Sequence, residues 1–269
     1  MSGALASDAN RGKVAMITGG GTGIGRATSI ALAQSGASVV ICGRRQEPLS
    51  DVQAELEQSG AECLALRCDV REPDQVRALV DAALKRFGAV DVLVNNAGGQ
   101  FTAPAEEITG KGMRVVHRLA IDAAWELTHE IATRSMIPGA GGLVVFTGFS
   151  PRRGIPGFTH ASAARAALEN LAQGLALEWS RYSIRSVCVV IGNIDTEGLA
   201  AYGPDALEAA RMQVPLGRLG RPEEVGETIA FLATAAGAYI TGSSLLVDGG
   251  LDAWGMAEPP PQPRTTDDE

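Results

Sequence analysis

The run Lys13-Val-Ala-Met-Ile-Thr18 leads into Gly19-Gly20-Gly21-Thr22-Gly23-Ile24-Gly25, a glycine turn whose residue types suit an anion. Glycines let the backbone turn tightly and approach a pyrophosphate, whose charge then rests against the free N–H groups and positive dipole end of a following helix. Alone, such a turn also closes ordinary loops, so its neighbours decide. Gly43-Arg44-Arg45 ends a second apolar run and has no acid where one would bond the 2′-hydroxyl of NAD. Guanidinium forks suit a phosphate, so Arg44 and Arg45 favour NADP over NAD; the alternative is that one or both are solvated loop charges. Asp69-Val70 follows a third apolar run, where Asp69 could accept a bond from an adenine amino group while Val70 packs on the ring. Asp69 could equally cap the turn into the next helix, and the two roles are compatible.

These residues need strands and helices to hold them, and the chain supplies both in alternation. Short apolar runs at 14–18, 38–42, 63–67 and 90–94 are spaced by segments of helical period at 47–59 and 73–87, with small periodic residues Ala27, Ile30, Ala31 and Ala33 after the glycine turn. Alternation of this kind predicts a single-domain α/β Rossmann-type fold, a doubly wound parallel sheet of about seven strands with helices on both faces. The predicted organisation is a flexible N-terminal arm over 1–12, the Rossmann domain over 13–254, and a Pro-rich, acidic, disordered tail over 255–269. Within the domain, residues 193–214, with Gly198, Gly203 and Pro204, are expected to form a mobile lid over a substrate.

Composition narrows the function. A net charge of −8 over 269 residues argues against nucleic acid or an anionic membrane as the main partner. No stretch approaches the roughly 20 apolar residues that span a bilayer, and no secretory signal is evident, so a cytoplasmic location is expected. Cys42, Cys63, Cys68 and Cys188 are scattered, as buried free thiols of a reducing compartment would be. With three histidines and neither Cys-x-x-Cys nor His-Glu-x-x-His spacing, no metal site is predicted.

After the fourth strand comes Asn95-Asn96-Ala97-Gly98. Together with Thr18-Gly19-x-x-x-Gly23-x-Gly25 this resembles the short-chain dehydrogenase/reductase family, and the likeness runs from Lys13 to Asp252 through Ala176-Leu-Glu-Trp179, Pro215-Leu-Gly-Arg218, Arg221-Pro-Glu-Glu-Val225 and Val247-Asp-Gly-Gly250. The resemblance implies that Gly19, Gly21, Thr22, Gly23, Ile24 and Gly25 hold the pyrophosphate. It also implies that Asn95, Ala97, Gly98, Ile194 and Thr196 line the nicotinamide side. Family members pair the helices corresponding to 111–136 and 158–181 across a two-fold axis, which implies a homo-oligomer, dimer or tetramer.

Most members carry a Tyr-x-x-x-Lys pair, a serine on the preceding strand and an asparagine on the first bundle helix. Here the lysine position is Arg165 and the tyrosine position Ala161, with the serine position at or near Gly148 and the asparagine position near Ala120. Alanine carries no proton, and arginine loses none at a useful pH. His160-Ala-Ser-Ala-Ala-Arg165 and Asp195-Thr-Glu-Gly-Leu199 resemble the 2,4-dienoyl-CoA reductase branch, which lacks that tyrosine and reduces a conjugated thioester. On this resemblance Arg165 fixes the ribose, and Ser150, Thr147, Asp122 and His160 are the polar groups near the nicotinamide. His160 titrates near neutral pH but lies about 100° around the helix from position 161, and could instead be a helix-start or interface histidine. Ser150, before Pro151, could be only a turn residue. Arg152 and Arg153 could meet the phosphates of a CoA-type substrate or decorate a surface loop.

The expected function is therefore an NADP-dependent oxidoreductase of atypical mechanism, acting on a small molecule such as an enoyl- or dienoyl-CoA thioester or a carbonyl. The alternative is a catalytically silent subunit that partners an active homologue in a hetero-oligomer, and a lyase or isomerase on the same fold is a third reading.

Overall fold

The computed structural model describes residues 4–254. Strand β1 (Val14–Thr18) is wholly buried, and the glycine turn links it to α1 (Gly23–Gln34). Then follow β2 (Ser38–Gly43), α2 (Gln46–Gln58), β3 (Cys63–Arg67), α3 (Pro73–Phe87) and β4 (Val92–Asn95). The first bundle helix is continuous but irregular: α4 (Gly110–His117), a π-helical turn (Arg118–Asp122), α5 (Ala123–Ile131) and a second π-helical turn (Ala132–Met136). Strand β5 (Gly142–Phe149), the long α6 (Thr159–Trp179) and β6 (Ile184–Ile191) complete the second half's core. The chain then forms α7 (Glu197–Ala200), α8 (Pro204–Met212), α9 (Pro222–Ala233) and β7 (Ser244–Val247).

The strands form one seven-stranded parallel sheet in the order β3-β2-β1-β4-β5-β6-β7. The period of two sends alternate residues to opposite faces. Met16, Val40 and Leu93 pack toward α3, α5 and α6, while Ile17, Ile41 and Val94 join the core under α1 and α9. Both faces being covered, the strands read as unbroken apolar runs. The strand order reverses between β1 and β4, and in such sheets ligands bind beyond the carboxyl ends at that point.

The segment predicted as a flexible arm is fastened where it is described. Asn10 is fully buried, its Nδ2 donating to Ser35 Oγ at 2.9 Å and to the Ala230 carbonyl at 3.0 Å, and Lys13 Nζ donates to the Ala233 carbonyl. The predicted tail lies outside the described residues. The four cysteines are buried and free, as expected.

Candidate active site

A cleft of about 840 Å³ opens beyond the carboxyl ends of β1, β2 and β4. Of the residues expected to bind a dinucleotide, Gly19, Gly21, Thr22, Gly23, Ile24, Gly25, Arg44, Arg45, Asp69, Val70, Ala97, Gly98 and Thr196 all line it. The turn that carries the glycines is locked from beneath. Thr18 Oγ1 accepts the backbone N–H of Asn96 at 3.0 Å and of Ala97 at 2.8 Å, and Asn96 Nδ2 donates to the Thr18 carbonyl at 2.9 Å. Gly25 passes so close to Gly19 that a Cβ on it would stand 2.1 Å from the Gly19 carbonyl oxygen.

Helix α1 begins without a side-chain cap on its free N–H groups and without an acid in its first turn. Its positive end is thereby left for an external anion. That observation fits a pyrophosphate, and the cleft that the turn lines also takes in Arg44 and Thr196.

At one end of the cleft, Arg44 and Arg45 are exposed, and among the described residues neither guanidinium forms an ion pair. Arg67, which the sequence did not single out, donates from Nε to the Arg44 carbonyl at 3.1 Å and adds a third cation to this rim. Asp69 accepts from Arg71 at its N–H (3.1 Å), Nε (2.9 Å) and Nη2 (2.5 Å). The guanidinium holds the Asp69 carboxyl down at about 2. Asp69 thus shapes its turn and also borders the cleft.

The end around Gly98 is built differently. Arg165 reaches across from α6, donating from Nη1 to the Thr147 carbonyl at 2.7 Å and Oγ1 at 3.2 Å. Its Nη2 lies against Gly98, where a Cβ would stand 2.2 Å away. Thr147 Oγ1 donates to the Asn95 carbonyl at 3.2 Å, and Asn95 Nδ2 donates to Thr128 Oγ1 at 2.9 Å. A polar chain therefore crosses from α6 through β5 and β4 to α5. Asn95 is buried within it, and its neighbour Asn96 is the asparagine on the cleft wall.

Where proton-handling side chains were absent from the sequence, small apolar ones close up. Ala161, Ala164, Ala120 and Val116 are buried together, with Phe149 and Phe158 packed on them. Gly148 faces β6 so closely that a Cβ would stand 2.9 Å from Cys188 Sγ and from Val190 Cγ2. The first bundle helix turns Leu119, not Ala120 or Asp122, into the cleft. Asp122 is exposed in a separate groove with Trp125 and His129. Ser150 is buried and donates to Asp248 Oδ2 at 2.5 Å. Arg152 and Arg153 are paired with Asp252, at 3.1 and 3.9 Å. The Ile194 side chain is in the core. His160 is wholly buried beneath Phe101, ring centroids 4.3 Å apart, and burial pushes its pKa down, helped by the nearby His117.

Among the described residues no cluster of metal-ligating side chains occurs, and no helix is long and apolar enough to cross a membrane.

Residues 19–252 match the family model described as enoyl-(acyl carrier protein) reductase. The peroxisomal 2,4-dienoyl-CoA reductase of Danio rerio is 35% identical over 246 residues, covering 90% of this chain and 81% of that protein. The cis-4-hydroxycyclohexanecarboxylate dehydrogenase of Sinomonas cyclohexanicum is 38% identical over 243 residues, covering 90% and 97%. Among solved structures, the citronellol catabolism dehydrogenase of Pseudomonas aeruginosa superposes with a TM-score of 0.84 at 33% identity, covering 94% of this chain and all of that one. The three differ in the substrates their names state and share the fold and its oxidoreductase chemistry. With its glycine turn, its sheet order and a match across most of its length, the chain belongs to the short-chain dehydrogenase/reductase family of oxidoreductases.

Proposed function

We propose that the protein is an NADP-dependent oxidoreductase that reduces a conjugated thioester of the enoyl- or dienoyl-CoA class, or a related carbonyl, without a tyrosine acid. The observation that carries this is the pairing, in one cleft, of an uncapped α1 N-terminus with Arg44 and Arg45, two arginines free of ion pairs among the described residues. In that role α1 and the glycine turn hold the pyrophosphate, and Arg44 and Arg45 hold the 2′-phosphate. Asp69 and Val70 receive the adenine, while Asn95, Ala97 and Gly98 support the nicotinamide ribose side and Arg165 fixes the ribose by charge. Ile194 and Thr196 begin the lid over residues 193–214. When bound, NADPH supplies a hydride.

The chain's own residues then stabilise the negative charge that develops on the substrate oxygen, the larger part of catalysis in such reactions. A conjugated thioester suits this site because its charge spreads into an enolate that needs donors rather than a tyrosine. Ser150, whose hydroxyl is bound to Asp248, and exposed Asp122 take no part in this scheme. We also infer self-association through the helices of 111–136 and 158–181, where Trp125 and Leu177 are exposed, to be measured by light scattering.

Fluorescence titration with NADPH and NADH, followed by assays with a dienoyl-CoA, an enoyl-CoA and a ketone, tests the proposal. Tighter binding of NADPH and its oxidation by a thioester is the expected result. No binding of either nucleotide overturns it, and tight NADPH binding without turnover would instead favour the silent-subunit alternative.

A further inference from the structure

Beside the dinucleotide cleft, between the end of β3 and α3, lies a second groove of about 580 Å³. The two share Arg44 and Asp69 and meet at that rim. Arg45 borders the cleft alone, and Arg67 borders the groove alone. One wall of the groove is apolar, made by Leu66 of β3 and Leu79 of α3.

Its polar groups divide into the committed and the free. Asp69 is held by Arg71 through Nε and Nη2, and Glu72 is paired with Arg118 at 3.6 Å. Gln75 Oε1 accepts the Asp69 N–H at 2.9 Å. Both acids of the groove are thus matched by arginines outside it. Its own arginines, Arg44 and Arg67, form no ion pair among the described residues. Two like charges on one groove repel, and an anion seated between them turns that repulsion into attraction.

The backbone joins the two cations. In the β2–β3 register Gly43 stands opposite Arg67, and a Cβ at Gly43 would meet nothing nearer than Leu49 Cδ2 at 3.7 Å, so no side chain crowds the strand ends there. Arg67 Nε donates to the Arg44 carbonyl at 3.1 Å, and its Nη1 and Nη2 have no acceptor among the described residues. One edge of the Arg67 fork therefore ties down the very residue that carries the other free guanidinium.

We infer that Arg67 and Arg44 together seat the 2′-phosphate of the dinucleotide, and that Arg67 is the residue that sets the preference for NADP; this rests on the NADP-dependent function proposed above. Arg67 acts in two ways, as a second charge on the phosphate and as a positioning residue through the Arg44 carbonyl. NAD, with a hydroxyl in place of the phosphate, gains nothing from either arginine, and no acid follows β2 to bond that hydroxyl.

The test uses the full chain and two fragments that differ only in the phosphate, adenosine 2′,5′-bisphosphate and adenosine 5′-monophosphate, with binding read by calorimetry. Wild-type protein is expected to hold the bisphosphate about 10-fold or more tightly than the monophosphate, an advantage that shrinks in salt. Arg67→Ala is expected to lose about 10-fold for the bisphosphate and for NADPH, with the monophosphate and NADH changed by less than about 2-fold. Arg67→Lys, which keeps the charge but not the fork, is expected to regain part of that loss. Should Arg67→Ala fail to fold, Arg67→Gln decides by the same ratio. An unchanged ratio, or an equal loss for both fragments, overturns the role of Arg67 alone. A wild-type protein that holds the two fragments equally overturns the NADP preference and the Arg67 role with it.

Discussion

The two ends of the cleft are made by opposite means. At the glycine-turn end the groups are polar, short-range and prefabricated: the turn is pinned by Thr18 and Asn96, Asp69 is clamped by Arg71, and among the described residues Arg44 and Arg45 form no ion pair. At the Gly98 end the sequence-adjacent polar groups are absorbed into scaffolding, Thr147 and Asn95 into a buried chain and Ser150 into a bond with Asp248. There the contacts are long-range in sequence, Arg165 lying against Gly98 and His160 against Phe101. The glycine-turn end and the Arg165 end are thus separately built parts of this fold.

That contrast can be broken at either end. The largest effect is expected from Gly25→Val, which drives a side chain into the Gly19 carbonyl; loss of measurable NADPH binding by fluorescence is the outcome, and retained binding would remove the turn from the site. Arg165→Ala should weaken NADPH binding or kcat by 10-fold to 100-fold, and also lower thermal stability because the Thr147 carbonyl loses a charged donor worth about 1.5–3 kcal/mol. Unchanged kcat and affinity would strip Arg165 of its ribose role. Arg44→Ala with Arg45→Ala should cost NADPH about 10-fold in Kd while sparing NADH, and the NADPH affinity should fall with salt, as titration at two ionic strengths would show.

The smallest effect concerns pH. Asp69 has its pKa lowered to about 2 from an ordinary 3.8, so its stabilisation is complete above the unfolded value and is lost as pH falls through the folded one. Since Asp69 and Arg71 keep some solvent contact, about 1 kcal/mol should disappear between pH 4 and pH 2, and Asp69→Asn should flatten that part of the unfolding curve.

The sheet and the grouping of residues around the glycine turn in one cleft were legible because their signals are local: unbroken apolar runs, glycines, and arginines directly after a strand. The first bundle helix was not. Counting back from Trp125 at a regular helical period points to Ala120 or Asp122, whereas the cleft receives Leu119. The π-helical turn Arg118–Asp122 lies between, and one extra residue in a turn rotates everything before it by about 100°.

Gly148 has a bearing on the protein's history and its engineering. Because the strand backbone there lies against Cys188 and Val190, with no space for even a methyl group, a serine cannot simply be written back in. Ala161 is buried in a cluster with Ala164, Ala120 and Val116. Restoring the ordinary carbonyl-reductase residues one at a time should yield proteins that fold worse before any works better. Descent from a tyrosine-bearing ancestor would then be a one-way passage, closed behind the chain by its own packing.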